Sequence, residues 1–82
     1  MKRVEALWED DIHAQRSARG TILDRSLGGI CLQISIPIDI GSKLTIKGAS
    51  EQLSGIVVNS RREKEDYILG IQFDGPAKPD AT

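Results

Sequence analysis

The sequence predicts a small all-β domain, a barrel of six antiparallel strands. No window keeps helix-period apolar residues for three turns, isoleucine and valine dominate the apolar residues, and several segments alternate apolar with polar side chains. Eighty-two residues supply one hydrophobic core and therefore one domain. A closed barrel is favoured because closure removes the unpaired edges of a small open sheet. SH3-like and OB-type barrels fit the same pattern.

The first half of the chain contains three predicted strands. Residues 4–8 are apolar at alternate positions, and the polar residues 9–15 follow as a loop. Residues 17–24 form the second strand, which leads into the turn-forming residues 24–29. Strict alternation resumes over residues 30–36, where every even-numbered position is leucine or isoleucine. We expect these even-numbered side chains, Ile36 among them, to face one way and the odd-numbered side chains to face the other.

The second half contains the other three strands. Pro37 and Gly41 mark the connection to residues 43–47, and the fifth strand covers residues 53–59. The charged residues 61–66 are expected to form a loop before the sixth strand, residues 67–73. The barrel domain then covers residues 1–74, and residues 75–82 form a flexible tail. The predicted core contains Ile22, Ile30, Leu32, Ile34, Leu44, Ile46, Val57, Leu69, Ile71 and Phe73.

Charge and cysteine content restrict the partners and the compartment. The net charge of −1 gives no general attraction for nucleic acid or for an anionic membrane. No apolar run reaches the roughly 18 residues of a membrane helix. The single cysteine, Cys31, cannot form an internal disulfide, which fits a reducing compartment, and we expect the protein to be cytoplasmic.

The sequence contains little that could perform catalysis. His13 is the only histidine, so a zinc site lacks ligands, and residues 9–11 lack the spacing of a calcium loop. No glycine-rich phosphate loop is present. We therefore predict a non-enzymatic binding module without a metal or a cofactor.

One segment has two interpretations, namely Asp24-x-Ser26-x-x-Gly29 between the second and third strands. As a plain turn, it would use the polar side chains to accept backbone hydrogen bonds, and Gly28 or Gly29 would supply a positive φ. As a binding site, it would project Asp24 and Ser26 to the same side while Gly29 lets a ligand approach the backbone. A carboxylate suits the Watson–Crick edge of guanine, which presents N–H donors.

This segment resembles the D/N-x-S-x-x-G motif of PilZ domains. The resemblance continues with Pro37 to Gly41 as a Pro-x-x-x-Gly connection, a valine-containing strand at residues 54–58, and Leu-Gly-x-x-Phe at residues 69–73. It implies a PilZ-like barrel that serves as a second-messenger receptor for cyclic di-GMP in bacterial signalling. The site it implies consists of Asp24 and Ser26 at guanine, Gly29 admitting the base, and Arg3 with Lys2 supplying charge for the phosphates.

The sequence departs from the family pattern at the N-terminal arginine motif. Family members that bind cyclic di-GMP usually carry R-x-x-x-R before the aspartate, and its arginines clamp phosphates and guanine edges. Arg3 lies where the second arginine is expected, so the first would fall before Met1. Either a longer protein supplies the missing arginine, or the chain is a degenerate PilZ-like module that binds a partner protein instead of the nucleotide. An oligonucleotide-binding barrel is disfavoured, because it would need a basic groove with stacking aromatics.

Overall fold

The protein forms a closed barrel of six antiparallel strands in a computed structural model that describes residues 2–74. The strands run in the spatial order β1-β2-β3-β6-β5-β4. The predicted fold class is confirmed, and the predicted tail, residues 75–82, lies outside the described residues. No helix that could cross a membrane occurs within residues 2–74. The strands are β1 (Lys2–Glu9), β2 (Gln15–Arg25), β3 (Gly29–Ile34), β4 (Lys43–Lys47), β5 (Gln52–Glu63) and β6 (Asp66–Phe73).

A short pairing between β1 and β4 closes the barrel. Ala6 lies opposite Ile46 in this pairing, with one further pair of residues on each side. β1 pairs along its whole length with β2 on its other edge, from Lys2 opposite Ile22 to Glu9 opposite Gln15. Closure gives every strand two hydrogen-bonded neighbours, which explains how so small a sheet avoids exposed edges.

Alternating side chains from all six strands fill the interior. The predicted core residues are buried except Phe73, which packs against the core while partly exposed. The pattern in β1 extends the core to Val4 and Ala6. Leu32, Leu44, Val57 and Leu69 have no exposed surface. Burial of this one apolar cluster provides most of the driving force for folding.

The predicted alternation of the third strand does not extend to Ile36. β3 ends at Ile34, because its partner β6 begins at Asp66 and its last pair with β3 joins Tyr67 to Ile34. After this pair, β3 has no strand pairing with β6 that would keep side chains alternating between the two faces. Ile36 is accordingly 39% exposed. Ile38, after the bend and Pro37, enters the core instead.

The prediction of a long charged loop at residues 61–66 is also wrong. β5 continues to Glu63, which lies opposite Asp66, so only Lys64 and Glu65 form the turn. Lys64 adopts the left-handed conformation with φ of 57°. A long antiparallel hairpin satisfies the backbone hydrogen bonds of this segment while its charged side chains stay in water.

Two irregularities interrupt the otherwise regular ladders. The register between β2 and β3 shifts between Ile22 and Asp24, which leaves Leu23 as an extra residue. The register between β5 and β6 shifts between Val57 and Asn59, which leaves Val58 as an extra residue. β-bulges of this kind bend a strand and redirect its side chains, and both lie beside the segment at residues 24–29.

Candidate functional site

A concavity of about 270 Å³ lies on the outer barrel surface next to the turn between β2 and β3. We call it the Asp24 concavity. It brings together three of the predicted site residues, Asp24, Ser26 and Gly29, with residues of β5 and β6. Its lining consists of Asp24, Arg25, Ser26, Gly29, Ile30, Cys31, Val58, Gly70 and Ile71.

The position of the concavity follows from the strand pairing. Cys31 pairs with Gly70 across β3 and β6, and both residues line the concavity. Asn59 lies opposite Gly70 on β5, and its amide group occupies the space beside the glycine. Val58, the extra residue of the β5 bulge, forms an apolar wall and is 46% exposed. The concavity therefore lies over the paired backbones of β3 and β6, beside the β5 bulge.

Asp24 presents an acceptor at the rim. Its Oδ1 accepts a hydrogen bond of 2.9 Å from the backbone N–H of Arg25, which orients the carboxylate. Within residues 2–74, no protein group donates to its other oxygen, Oδ2. An exposed carboxylate held by one backbone bond keeps acceptor capacity for N–H donors of a ligand.

The turn after Asp24 closes without a left-handed residue. The backbone N–H of Ser26 donates to the carbonyl oxygen of Gly29 over 2.9 Å, and the Ser26 hydroxyl donates to the same oxygen over 3.4 Å. The expectation that Gly28 or Gly29 supplies a positive φ is wrong, because Gly41 is the glycine with a positive φ among residues 2–74. The β2 bulge and these hydrogen bonds reverse the chain instead.

Gly29 has a packing reason to be glycine. It is buried, and a Cβ at this position would overlap the carbonyl oxygen of Ile71 on β6. That Cβ would therefore point at the neighbouring strand β6. Gly28 is different, since a Cβ there would have no atom within 4 Å.

The structure places the two predicted basic residues in separate positions. Lys2 does not line the Asp24 concavity, but it lines a groove that Asp24 and Arg25 also line. Arg3 lies in a neighbouring concavity of about 330 Å³ with Arg19, Thr21 and Gln33, which we call the Arg3 concavity. Gln33 and Cys31 are two residues apart on β3, so the two concavities lie roughly 7 Å from each other along that strand.

Two further residues belong to the site region although the sequence patterns did not indicate them. Arg25 lines both the Asp24 concavity and the adjacent groove. Its Nη1 donates to both carboxylate oxygens of Glu51, at 3.2 and 3.0 Å, and Lys2 Nζ donates to Glu51 Oε2 at 2.9 Å. Arg25 could have been noticed as the variable residue inside the motif. Glu51 offered no local signal, because its partners are distant in sequence.

These contacts fix the charge state of Glu51. Hydrogen bonds from Lys2 and then Arg25 lower the pKa of its carboxyl below the ordinary glutamate value, so it is ionised at neutral pH. Residues 2–74 contain no group of acidic, histidine and cysteine side chains that could hold a metal ion. The chemistry that the site offers is recognition by one carboxylate, two basic groups and a small apolar surface.

The family of the chain follows from a comparison of its sequence with protein-family models. The model of the PilZ domain matches residues 8–81, which include the Asp24 motif and most of the barrel. The chain belongs to the PilZ domain family. The family resemblance predicted from the motif is thereby confirmed, and PilZ domains are a family of cyclic di-GMP-binding and effector domains. No curated protein matches the chain. In this PilZ domain, Lys2 and Arg3 precede the matched region.

Proposed function

We propose that this PilZ domain is a non-enzymatic receptor module for cyclic di-GMP. The carboxylate of Asp24 carries the proposal, because it stands at the rim of the Asp24 concavity with Oδ2 available within the described part of the chain. The guanine Watson–Crick edge offers two N–H donors, and a carboxylate is the side chain that accepts both. Asp24 would therefore select guanine over bases that present acceptors there.

The surroundings of Asp24 suit a purine ring. Val58 provides an exposed apolar wall, and the pair of Cys31 and Gly70 leaves a shallow floor. Arg25 can lie against a ring face, since guanidinium groups stack on aromatic systems. The concavity is small and open, so the remainder of the dinucleotide would lie across the barrel surface towards the Arg3 concavity.

The affinity of this chain for the nucleotide should be weak. The first arginine of the family's clamp has no counterpart in the sequence, and Arg3 lies outside the Asp24 concavity. Each missing charge-assisted contact costs about 1.5–3 kcal/mol. Two missing contacts would move a micromolar dissociation constant to roughly the millimolar range.

A nuclear magnetic resonance titration tests the proposal. We expect millimolar cyclic di-GMP to shift the backbone amides of residues 24–31, Val58 and Gly70. Asp24→Ala should abolish these shifts, because guanine loses its acceptor. Asp11→Ala, the same substitution in the exposed loop between β1 and β2, is the matched control and should leave them unchanged.

A variant with an extended N-terminus distinguishes weak binding of cyclic di-GMP from no binding. Completing R-x-x-x-R with an added arginine ahead of Arg3 should raise the affinity, since it restores a phosphate and guanine contact. Arg62→Ala in the distant hairpin should have no effect in the extended chain. If the extended chain shows no shifts at residues 24–29 with millimolar ligand, the receptor proposal is wrong.

The receptor is proposed to be cytoplasmic and to leave its ligand intact. The unpaired thiol of Cys31 supports a reducing compartment. His13 lies in the loop between β1 and β2, and its Nδ1 lies 3.4 Å from Glu9 Oε1. Purified protein should therefore show no turnover of cyclic di-GMP. Hydrolysis that His13→Ala abolishes would overturn this.

A second candidate function is a degenerate PilZ-like protein-interaction module. Ile56 and Val58 expose 39% and 46% of their surface on β5, and Leu27 in the adjacent turn is fully exposed. Apolar side chains grouped beside a depression are typical of protein contact surfaces. This function replaces the receptor if the extended chain binds no nucleotide.

A further inference from the structure

Two basic side chains converge on one carboxylate at the edge of the Asp24 concavity. Lys2 pairs with Ile22 across β1 and β2, and Arg25 pairs with Ile30 across β2 and β3. From there they reach Glu51, which closes the turn at residues 48–51 through a 2.9 Å backbone bond to Gly48. Three separate parts of the chain thus meet in one ion-pair cluster, which we call the Glu51 cluster.

The geometry of the Glu51 cluster is that of an anion site. One arginine Nη1 and one lysine Nζ hold a planar oxyanion at 2.9–3.2 Å. Both basic side chains remain about half exposed, at 48% for Lys2 and 47% for Arg25. Within residues 2–74, no side chain accepts a hydrogen bond from Arg25 Nε or Nη2. The Arg25 guanidinium and the Lys2 ammonium group can donate hydrogen bonds to phosphate oxygens as readily as to carboxylate oxygens.

Stability alone is a weak explanation for the cluster. Exposed ion pairs contribute little to folding, because water screens them and the long side chains lose freedom. The position of the Glu51 cluster indicates a role in ligand binding. Arg25 and Asp24 line both the groove beside Lys2 and the Asp24 concavity. A ligand whose base contacts Asp24 would bring a phosphate close to Arg25.

We propose that Lys2 and Arg25 form a phosphate subsite in which the carboxylate of Glu51 is an intramolecular competitor. A phosphodiester that binds there must displace Glu51 from the two basic groups. Glu51 thus lowers the affinity for the phosphate. The proposal deepens the proposed function and rests on it for the natural ligand, whereas the phosphate chemistry can be tested separately.

Glu51→Gln is the decisive variant, because it keeps the shape of the side chain and removes the competing charge. Isotope-labelled protein is titrated with inorganic phosphate at constant ionic strength, and the amides of Arg25, Ser26 and residues 48–51 are followed. We expect phosphate to bind the variant about two- to thirtyfold tighter than the parent, the range for two exposed ion pairs. Adding Arg25→Ala to Glu51→Gln should remove the gain.

Glu63→Gln is the matched control. Glu63 also forms an ion pair, with Arg61 at 3.7 Å, but it lies in the hairpin far from the cluster. The Glu63→Gln variant should bind phosphate with the same affinity as the parent. If Glu51→Gln does not fold, Glu51→Asp, which shortens the side chain and loosens both pairs, should show a smaller gain. Equal phosphate affinity in parent and folded Glu51 variants overturns the proposal.

A second titration, with cyclic di-GMP, separates the two proposals. Tighter binding of both phosphate and cyclic di-GMP to Glu51→Gln supports the subsite as part of the receptor. Tighter binding of phosphate without any binding of the dinucleotide supports the subsite and contradicts the receptor function. Unchanged binding of both ligands while cyclic di-GMP still shifts residues 24–29 supports the receptor and overturns the role of Glu51.

Discussion

Gly29 lies against the carbonyl oxygen of Ile71 so closely that a Cβ on residue 29 would overlap that oxygen. We predict that Gly29→Ala destabilises the fold by about 1–3 kcal/mol, because the β3 and β6 backbones must separate. Urea unfolding monitored by circular dichroism measures the loss. Gly28→Ala is the control and should change stability by less than about 0.5 kcal/mol, since its added methyl group meets no atom within 4 Å. Equal stability of the two variants would contradict the packing argument.

The contribution of the apolar core to folding stability can be tested by comparing a buried leucine with an exposed one. Leu32 has no exposed surface, whereas Leu27 is fully exposed. Leu32→Ala should lower the free energy of unfolding by about 2–5 kcal/mol through lost burial and a cavity. Leu27→Ala removes the same atoms and should change it by less than about 0.5 kcal/mol. Thermal or urea unfolding compares them, and a Leu32→Ala variant as stable as the parent would contradict the barrel core.

The two-residue turn of the β5–β6 hairpin stores strain at Lys64. Its φ of 57° is unfavourable for a side chain with a Cβ, by about 1–2 kcal/mol. Lys64→Gly relieves this strain but adds flexibility to the unfolded chain, so we expect a net stabilisation of up to about 1 kcal/mol. Glu65→Gly, at the neighbouring position without a positive φ, should instead lower stability. Urea midpoints measure both changes, and a loss of stability in Lys64→Gly would refute the assignment of strain.

Asp10 should make folding stability depend on pH in the acidic range. Its carboxylate accepts hydrogen bonds from Arg16 Nε at 2.8 Å and from the backbone N–H groups of Ala14 and Ile12, and these bonds lower its pKa below the usual 3.8. A folded-state pKa below the unfolded value means that the stabilisation is complete above about pH 4 and disappears as the pH falls through the folded pKa. Urea denaturation at several pH values between pH 7 and pH 2.5 measures this loss of folding stability.

Asp10→Asn gives the reference for this pH dependence, because the amide cannot titrate. The stability gap between parent and variant should be constant at neutral pH and narrow below about pH 4. A gap that stays constant down to pH 2.5 in Asp10→Asn would mean that the Asp10 contacts do not stabilise the loop.

Cys31 provides a test of where a ligand lies. Cys31 lines the Asp24 concavity and pairs with Gly70 across β3 and β6. Cys31→Leu should place a larger side chain in the concavity and abolish the shifts that cyclic di-GMP causes at residues 24–29, whereas Cys31→Ser should preserve them. Titrations of both variants, with circular dichroism to show intact folding, make the comparison. Undiminished shifts in Cys31→Leu would place the ligand elsewhere on the barrel.

The sequence by itself determined the strands and the motif. Alternation of apolar and polar residues is a local property with a period of two, so the inward faces of β3, β4 and β6 were readable without a structure. Asp24, Ser26 and Gly29 were recognisable from their spacing for the same reason, because one short turn contains them.

Only the tertiary structure decided how the strands meet. Local pattern does not indicate where a ladder slips, so it predicted neither the extra residues Leu23 and Val58 nor the extension of β5 to Glu63. It also could not place Glu51 beside Lys2 and Arg25, which are 49 and 26 residues away along the chain. Barrel closure sets these relationships, because the register of one strand pair constrains every other pair around the ring.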